Sequence, residues 1–293
     1  MIVLQNLIDA VSLGAVYALA ALGIGLIFGI MRLINFAHGE LIMIGGYSLF
    51  LLAGQPYLVM GLTAVLVVGI GALGMERLAF RTLRGADPST LLIASFAVSY
   101  LLQHLVLIVF GSRPTGVDFL SSLNESVEML GLRIPMLQLA TIAVTGLLLA
   151  GLTLFFARTD AGMQMRAAAE DFTMARLVGV KADRVIALAF LLSGLLASAV
   201  SLYLVTQTGT VTYKMGVGMV LIAFVSVVVG GMGSLAGAAL GGFAVGVVSV
   251  LLQAYLPVGL RSYRDAFVYL LFIAFLLWKP DGLLHRRADR ERI

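Results

Sequence analysis

Cysteine is absent from this chain, which excludes disulfides, thiolate metal sites and a cysteine nucleophile. Histidine is nearly absent: His38, His104 and His285 lie far apart, with no metal-ligand spacing. Charge is scarce as well. Asp, Glu, Lys and Arg make up 12% of the residues, about half the share of an ordinary soluble domain. No P-loop of the form GxxxxGK[ST] occurs, so any ATP used with this protein is hydrolysed by another chain. The first residues lack the basic region and cleavage site of a signal peptide, the first basic residue being Arg32. What fills the chain instead is apolar: 61% of its 293 residues are hydrophobic and the mean hydropathy is +1.06. One soluble core cannot hide so much apolar surface, and the composition is that of a polytopic membrane protein.

An apolar run of roughly 20 residues crosses a bilayer as a helix. The runs 5–30, 57–80, 89–110, 134–156, 185–206, 236–256 and 263–278 qualify. Two shorter ones, 41–53 and 217–230, each adjoin a break, at 32–40 and 230–236. The expected fold is therefore an all-α transmembrane bundle of eight or nine spans, some short or broken, forming one domain over 1–293. Arg77, Arg81 and Arg84, then Arg158, Arg166, Arg176, Lys181 and Arg184, then Lys279, Arg286, Arg287, Arg290 and Arg292 supply 13 of the 19 basic residues. Alternating spans put these three groups on one side, which the positive-inside rule makes the cytoplasm. Trp278 suits an interfacial anchor, and 111–133 then faces outward. If 41–53 crosses, the N-terminus is outside; if it re-enters, inside. Basic residues placed beside spans are not a nucleic-acid signal.

Many of the 33 glycines fall inside spans, several four residues apart. Lipid tails exert no hydrophobic force between helices, so small residues that let backbones touch matter more. Gly230, Gly231, Gly233, Gly237, Gly241 and Gly242 are dense enough for helix packing or for a helix interrupted near the membrane core. Ser234 with His104 would suggest a serine-protease dyad, but the local sequence is not GxSxG.

The loop 157–184 is rich in helix formers. Ala168, Phe172, Ala175 and Val178 recur at helical spacing. Asp160 is placed to cap a short helix, Gly179 to stop one and Asp183 to start the next span. Short helices lying on the membrane surface or against a partner are expected.

Asn35, His38 and Glu40, with Phe36 and Gly39 among them, stand between two apolar runs. They can line a translocation path, since an ionisable group in a span marks function unless paired. They can hold a broken helix together, with Asn35 capping the segment after the break and His38 or Glu40 bonding freed backbone groups. Or they can simply face the cytoplasm at a helix end. Glu40 is expected to pair with Arg32, with His38 or with a group on another span. So few fixed charges suit a neutral or zwitterionic solute. A self-contained secondary transporter would use Glu40 and His38 as a proton relay; a membrane enzyme is the remaining alternative.

INFAHGE (34–40), RAAAEDFTMARLVGVKADRV (166–185), GGMGSLAGAALGG (230–242) and WKPDGLL (278–284) follow one another in this order. Together they resemble the permease subunits of bacterial branched-chain amino-acid ABC importers, a group that includes urea and short-amide permeases. The short N-terminus resembles the smaller of the two permeases. The resemblance implies the ABC importer permease fold in the inner membrane, multi-pass, with a cytoplasmic C-terminus. It implies a second permease, two cytoplasmic ATP-binding subunits that use ATP and Mg, and a periplasmic substrate-binding protein, with no cofactor or metal on this chain. Residues 166–185 occupy the place of the coupling helices. Arg166, Ala167, Ala168, Ala169, Glu170, Asp171, Ala175, Arg176 and Gly179 are the expected contacts, with only a loose match to an EAA-type motif.

The charge distribution makes the orientation testable on a chain that has no native thiol. Asp289→Cys is expected to react with an impermeant thiol reagent only after cells are opened; labelling from outside intact cells would refute the assignment.

Overall fold

The computed structural model describes residues 2–129, 132–280 and 282–284. Among them the chain is built from α1 (Ile2–Met31), α2 (His38–Leu51), α3 (Tyr57–Met75), continued by a π-helical turn Glu76–Phe80, and α4 (Pro88–Phe110). After α4 come β1 (Thr115–Gly116), a 3-10 turn at Ser121–Asn124, and β2 (Ser126–Met129) paired antiparallel with β3 (Leu132–Pro135). The second half comprises α5 (Met136–Arg158), α6 (Asp160–Glu170), α7 (Phe172–Leu177), α8 (Ala182–Thr208), β4 (Thr210–Val211), α9 (Met215–Gly230), α10 (Leu235–Tyr255), a 3-10 turn Val258–Tyr263 and α11 (Arg264–Trp278). It is an all-α polytopic bundle.

Six helices are long and apolar enough to cross a membrane: α1, α3 with its π turn, α4, α5, α8 and α10. α1 and α8 form the centre, and α1 is the most enclosed. α4 and α5 present apolar side chains outward along most of their length, as expected of helices facing lipid. The expected count of eight or nine apolar segments is met only with three shorter helices of 14, 16 and 15 residues, α2, α9 and α11.

Two of these start inside the bundle. The chain leaves α1, turns through Arg32 with φ +55°, and re-enters as the non-helical segment 32–37 before α2 begins. There His38 meets Ser193, twelfth of the 27 residues of α8, and Glu40 meets Ser99, twelfth of the 23 residues of α4. α2 therefore begins at about half depth. From the other direction, the chain leaves α8, pairs β4 with β1, and dips back so that α9 starts with Gly216 against Gly39. α2 and α9 run from this common level towards opposite ends of the bundle. The break associated with 217–230 thus lies before α9. Residues 231–234 form the turn between the antiparallel α9 and α10, with Gly231 at φ +104° and Gly233 at φ +93°; they do not interrupt a helix at the membrane core.

Glycines make these approaches possible. A Cβ on Gly230 would lie 2.0 Å from the Gly237 carbonyl oxygen, and one on Gly241 would lie 2.1 Å from that of Ser226. A Cβ on Gly242 would meet the backbone of Ala18. Gly231 and Gly233 serve the turn instead. Gly241→Val forces α9 and α10 apart, at a cost of about 1–3 kcal/mol or more. Gly218→Ala, where no atom lies within 4 Å of the added Cβ, is the control. A thermal unfolding scan in detergent is expected to show a lowered Tm for the first variant only.

Candidate functional site

The segment 32–37 carries backbone amides into the apolar interior, where each needs a partner. Ala37 N–H donates to Asn35 Oδ1 at 3.1 Å, and His38 N–H to the Asn35 carbonyl at 3.2 Å. Asn35 thus folds its own turn and leaves Ala37 as the residue preceding α2, without a side-chain cap. Its amide also reaches Met75 Sδ at 3.8 Å. Phe36 N–H donates to Ser95 Oγ at 3.3 Å, and that hydroxyl lies 3.2 Å from the Ile34 carbonyl. A serine of α4, whose hydroxyl also lies 2.8 Å from the Leu92 carbonyl, therefore holds the non-helical segment from within.

His38 and Glu40 leave the first turn of α2 in different directions. His38 is fully buried, with Nδ1 3.0 Å from Ser193 Oγ. Its ring occupies the space a side chain on Gly23 would need, 2.3 Å from the ideal Cβ. Glu40 Oε1 accepts from Ser99 Oγ and from Gln103 Nε2, both at 2.7 Å, and Ser99 also accepts from Gln103 at 3.1 Å. Of the expected partners for Glu40, a group on another span is the one found; neither His38 nor Glu40 bonds the freed backbone in the way expected. The carboxyl sits in the first turn of α2, where the helix dipole favours negative charge. Gly39 lies between them with its carbonyl against Gly216.

Beside Glu40 a cavity of about 640 Å³ opens, lined by Phe36, Phe96, Ser99, Tyr100, Gln103 and Lys214 among others. Phe36 stacks on Phe96 at 4.2 Å and packs against Phe224. Sequence reasoning missed Ser95, Ser99, Gln103, Ser193 and Lys214. The signal for three of them was present: Ser95, Ser99 and Gln103 recur every fourth residue, a polar stripe on an apolar helix. His104 turns to the Tyr100 carbonyl at 2.8 Å, and the Ser234 hydroxyl caps α10 by accepting from Gly237 N–H. These two do not form a dyad.

At the end of the bundle holding α6 and α7, Arg84 bridges buried Glu76 of the π turn and Asp183 of the first turn of α8, while Arg81 reaches Asp183 at 2.7 Å. Just before it, α6 is capped by Thr159, not by Asp160, and α7 by Asp171, which accepts from two backbone amides at 3.0 Å. Gly179 ends α7 at φ +94°, with Val180 N–H on the Ala175 carbonyl. Of the expected coupling residues, Ala168 and Ala175 are buried in this chain's own core. Arg166, Ala167, Glu170, Arg176 and Gly179 are exposed, and Ala169 and Asp171 are half-buried. Exposed Met174, Leu177 and Val178 join that outer face. The tail residues Arg286, Arg287, Asp289, Arg290 and Arg292, with His285, lie outside the described residues.

A polytopic bundle of long apolar helices with a polar break at half depth has the form of a membrane permease. The chain belongs to the family described as branched-chain amino acid transport system, permease component, which it matches over residues 6–276. It is 35% identical to the high-affinity branched-chain amino acid transport system permease protein BraD of Pseudomonas aeruginosa, over 97% of this chain and 96% of that one. It is equally similar, at the same coverage, to the corresponding LivH of Escherichia coli K12. A probable LivH from Methanocaldococcus jannaschii is 28% identical over 90% of this chain and 87% of its own. The structure of PsaBC from Streptococcus pneumoniae in complex with Fab superposes with a TM-score of 0.53 at 14% identity, covering 97% and 94% of the two chains, a likeness of fold.

Arg84→Ala leaves the Glu76 carboxylate buried without its cation, a loss of about 3 kcal/mol or more. Adding Glu76→Gln to it is expected to restore part of the lost Tm. An unchanged Tm in Arg84→Ala would mean that this bridge holds nothing.

Proposed function

We propose that this chain is one permease subunit of an ATP-driven importer that carries branched-chain amino acids across the bacterial inner membrane. The observation that carries the proposal is the match to the permease family along nearly the whole chain, at 35% identity to relatives named for that transport. In this reading a second permease completes the path, two cytoplasmic subunits bind and hydrolyse ATP with Mg, and a periplasmic binding protein delivers the solute. α6, α7 and the C-terminus face the cytoplasm, because the basic residues gather at that end; the N-terminus is then outside. The exposed face of α6 and α7 receives the ATPase, and the Arg84 bridge passes its movement from the start of α8 to α3.

Asn35, Phe36, His38, Gly39 and Glu40 act as the structured break beside the path. The secondary-transporter reading loses support because His38 and Glu40 bond to different helices. A urea or short-amide permease of the same group remains the alternative substrate class, and the similarity to amino-acid relatives favours the first.

With partner subunits in proteoliposomes, leucine uptake is expected to require ATP and the binding protein; uptake by this chain alone would refute the reading. Glu40→Gln keeps an acceptor of the same shape for Ser99 and Gln103 but removes the ionisable carboxyl from the break. It is expected to lower uptake at least severalfold while the subunits still co-purify. Parental uptake by this variant would remove Glu40 from the machinery.

A further inference from the structure

Lys214 follows the end of α8 by six residues and immediately precedes α9. Its chain segment has already turned back into the bundle: two residues on, Gly216 presses on Gly39, at the half-depth level of Ser99 and Ser193. Yet Lys214 is exposed, and it lines the same cavity as Ser99, Tyr100 and Gln103. An ammonium within the span of α4 is costly against lipid tails and is found where it meets water or protein polar groups. Its ammonium lies 5.3 Å from the centre of the Tyr213 ring, a weak cation–π contact. Across the cavity stand Gln103 and, one hydrogen bond behind it, the Glu40 carboxyl. The Lys214 ammonium and the Gln103 amide thus both border a space otherwise walled by residues such as Phe36, Phe96, Val217 and Leu221, and the Glu40 carboxyl is buried behind Gln103.

We infer that this cavity is a water-filled wall of the solute path and holds a zwitterionic α-amino acid with an aliphatic side chain in passage; the amino-acid part rests on the function proposed above. The Lys214 ammonium receives the α-carboxylate as a point charge. Gln103 has given its amide N–H to Glu40, so its carbonyl oxygen is the acceptor for the α-ammonium, with the Glu40 carboxyl behind it. The Phe36–Phe96 stack and Val217 receive the side chain. The cavity of about 640 Å³ leaves room for water around one such solute, so the hold is loose, as suits a site that must release its cargo.

The absence of cysteine allows a direct test in the complete importer in membrane vesicles. A charged methanethiosulfonate reagent is applied to Val217→Cys, to Phe96→Cys and to Leu147→Cys, the last a mid-helix position on α5 that is 73% exposed and away from the cavity. Thiols react as thiolates, which need water, so the two cavity positions are expected to react at least about tenfold faster than Leu147→Cys and to be slowed severalfold by saturating L-leucine. Lys214→Met is expected to raise KM for leucine uptake about tenfold, with Lys214→Arg near the parental value, since a point charge on a carboxylate is what is lost. If both cavity cysteines are as inert as Leu147→Cys, the face meets lipid and the inference is overturned. If they react but leucine gives no protection and Lys214→Met keeps its KM while the parental complex takes up leucine, the amino-acid site is overturned and the proposed function stands. A parental complex that takes up no leucine overturns that function and the ligand together, and the labelling rates still decide the water-filled wall.

Discussion

Gly39 and Gly216 touch backbone to backbone in the middle of the bundle, and the arrangement of the half-helices follows from that contact. A Cβ on Gly216 would lie 1.9 Å from the Gly39 carbonyl oxygen, so neither position accepts a side chain. The contact brings two helix N-termini to one level inside an apolar bundle. Each brings amides without intrahelical partners and a partial positive charge. Such an arrangement persists only if polar groups are supplied nearby, and they come from elsewhere in the chain: Asn35 from the break, Ser95, Ser99 and Gln103 from α4, and Ser193 from α8. Glu40 in the first turn of α2 adds a carboxyl where the dipole favours one.

The same level is where the wall of the bundle becomes polar. Long helices such as α1 satisfy their backbone internally and present only side chains. Here the first turn of α2 is buried, and the polar groups that border the cavity are Ser99, Tyr100 and Gln103 of α4 and Lys214 just before α9. Membrane helices use irregular backbone where it is covered by protein or lines water, and discontinuous helices that point their N-termini at a site are a recurring way to receive anionic groups. On the proposed function, a weakly polar, largely apolar wall fits a zwitterion with a branched side chain.

At the arginine-rich end, the structure joins elements far apart in sequence. Glu76 belongs to the turn that ends α3, Asp183 to the start of α8, and Arg84 to the loop between α3 and α4. α7 and Gly179 lead into α8 only a few residues before Asp183. Arg84 and Arg81 thus tie the start of α8 to the segment that follows α3, and Met75 at the end of α3 is the residue whose sulfur the Asn35 amide reaches at the break.

The sequence by itself determined the class of protein, the apolar segments to within a few residues, the short helices at 41–53 and 217–230, the helical loop with its stop at Gly179, and the break around Asn35 to Glu40. These are local properties: hydropathy sums along a run, turn residues act on neighbours, and charge scarcity is visible wherever it occurs. What only the tertiary structure decided is which groups meet across the bundle. Glu40 offered Arg32 and His38 as neighbours in sequence, and it bonds Ser99 and Gln103, 59 and 63 residues away. Ala168 had the look of a contact surface and is buried, because periodicity gives the spacing of a helix face but not which face turns inward. Glycine density places the break belonging to 217–230 at its C-terminal end, and it lies at the other. Glycine density marks both tight turns and close packing, and only the position of a second backbone, Gly39 for Gly216 and Gly237 for Gly230, separates the two.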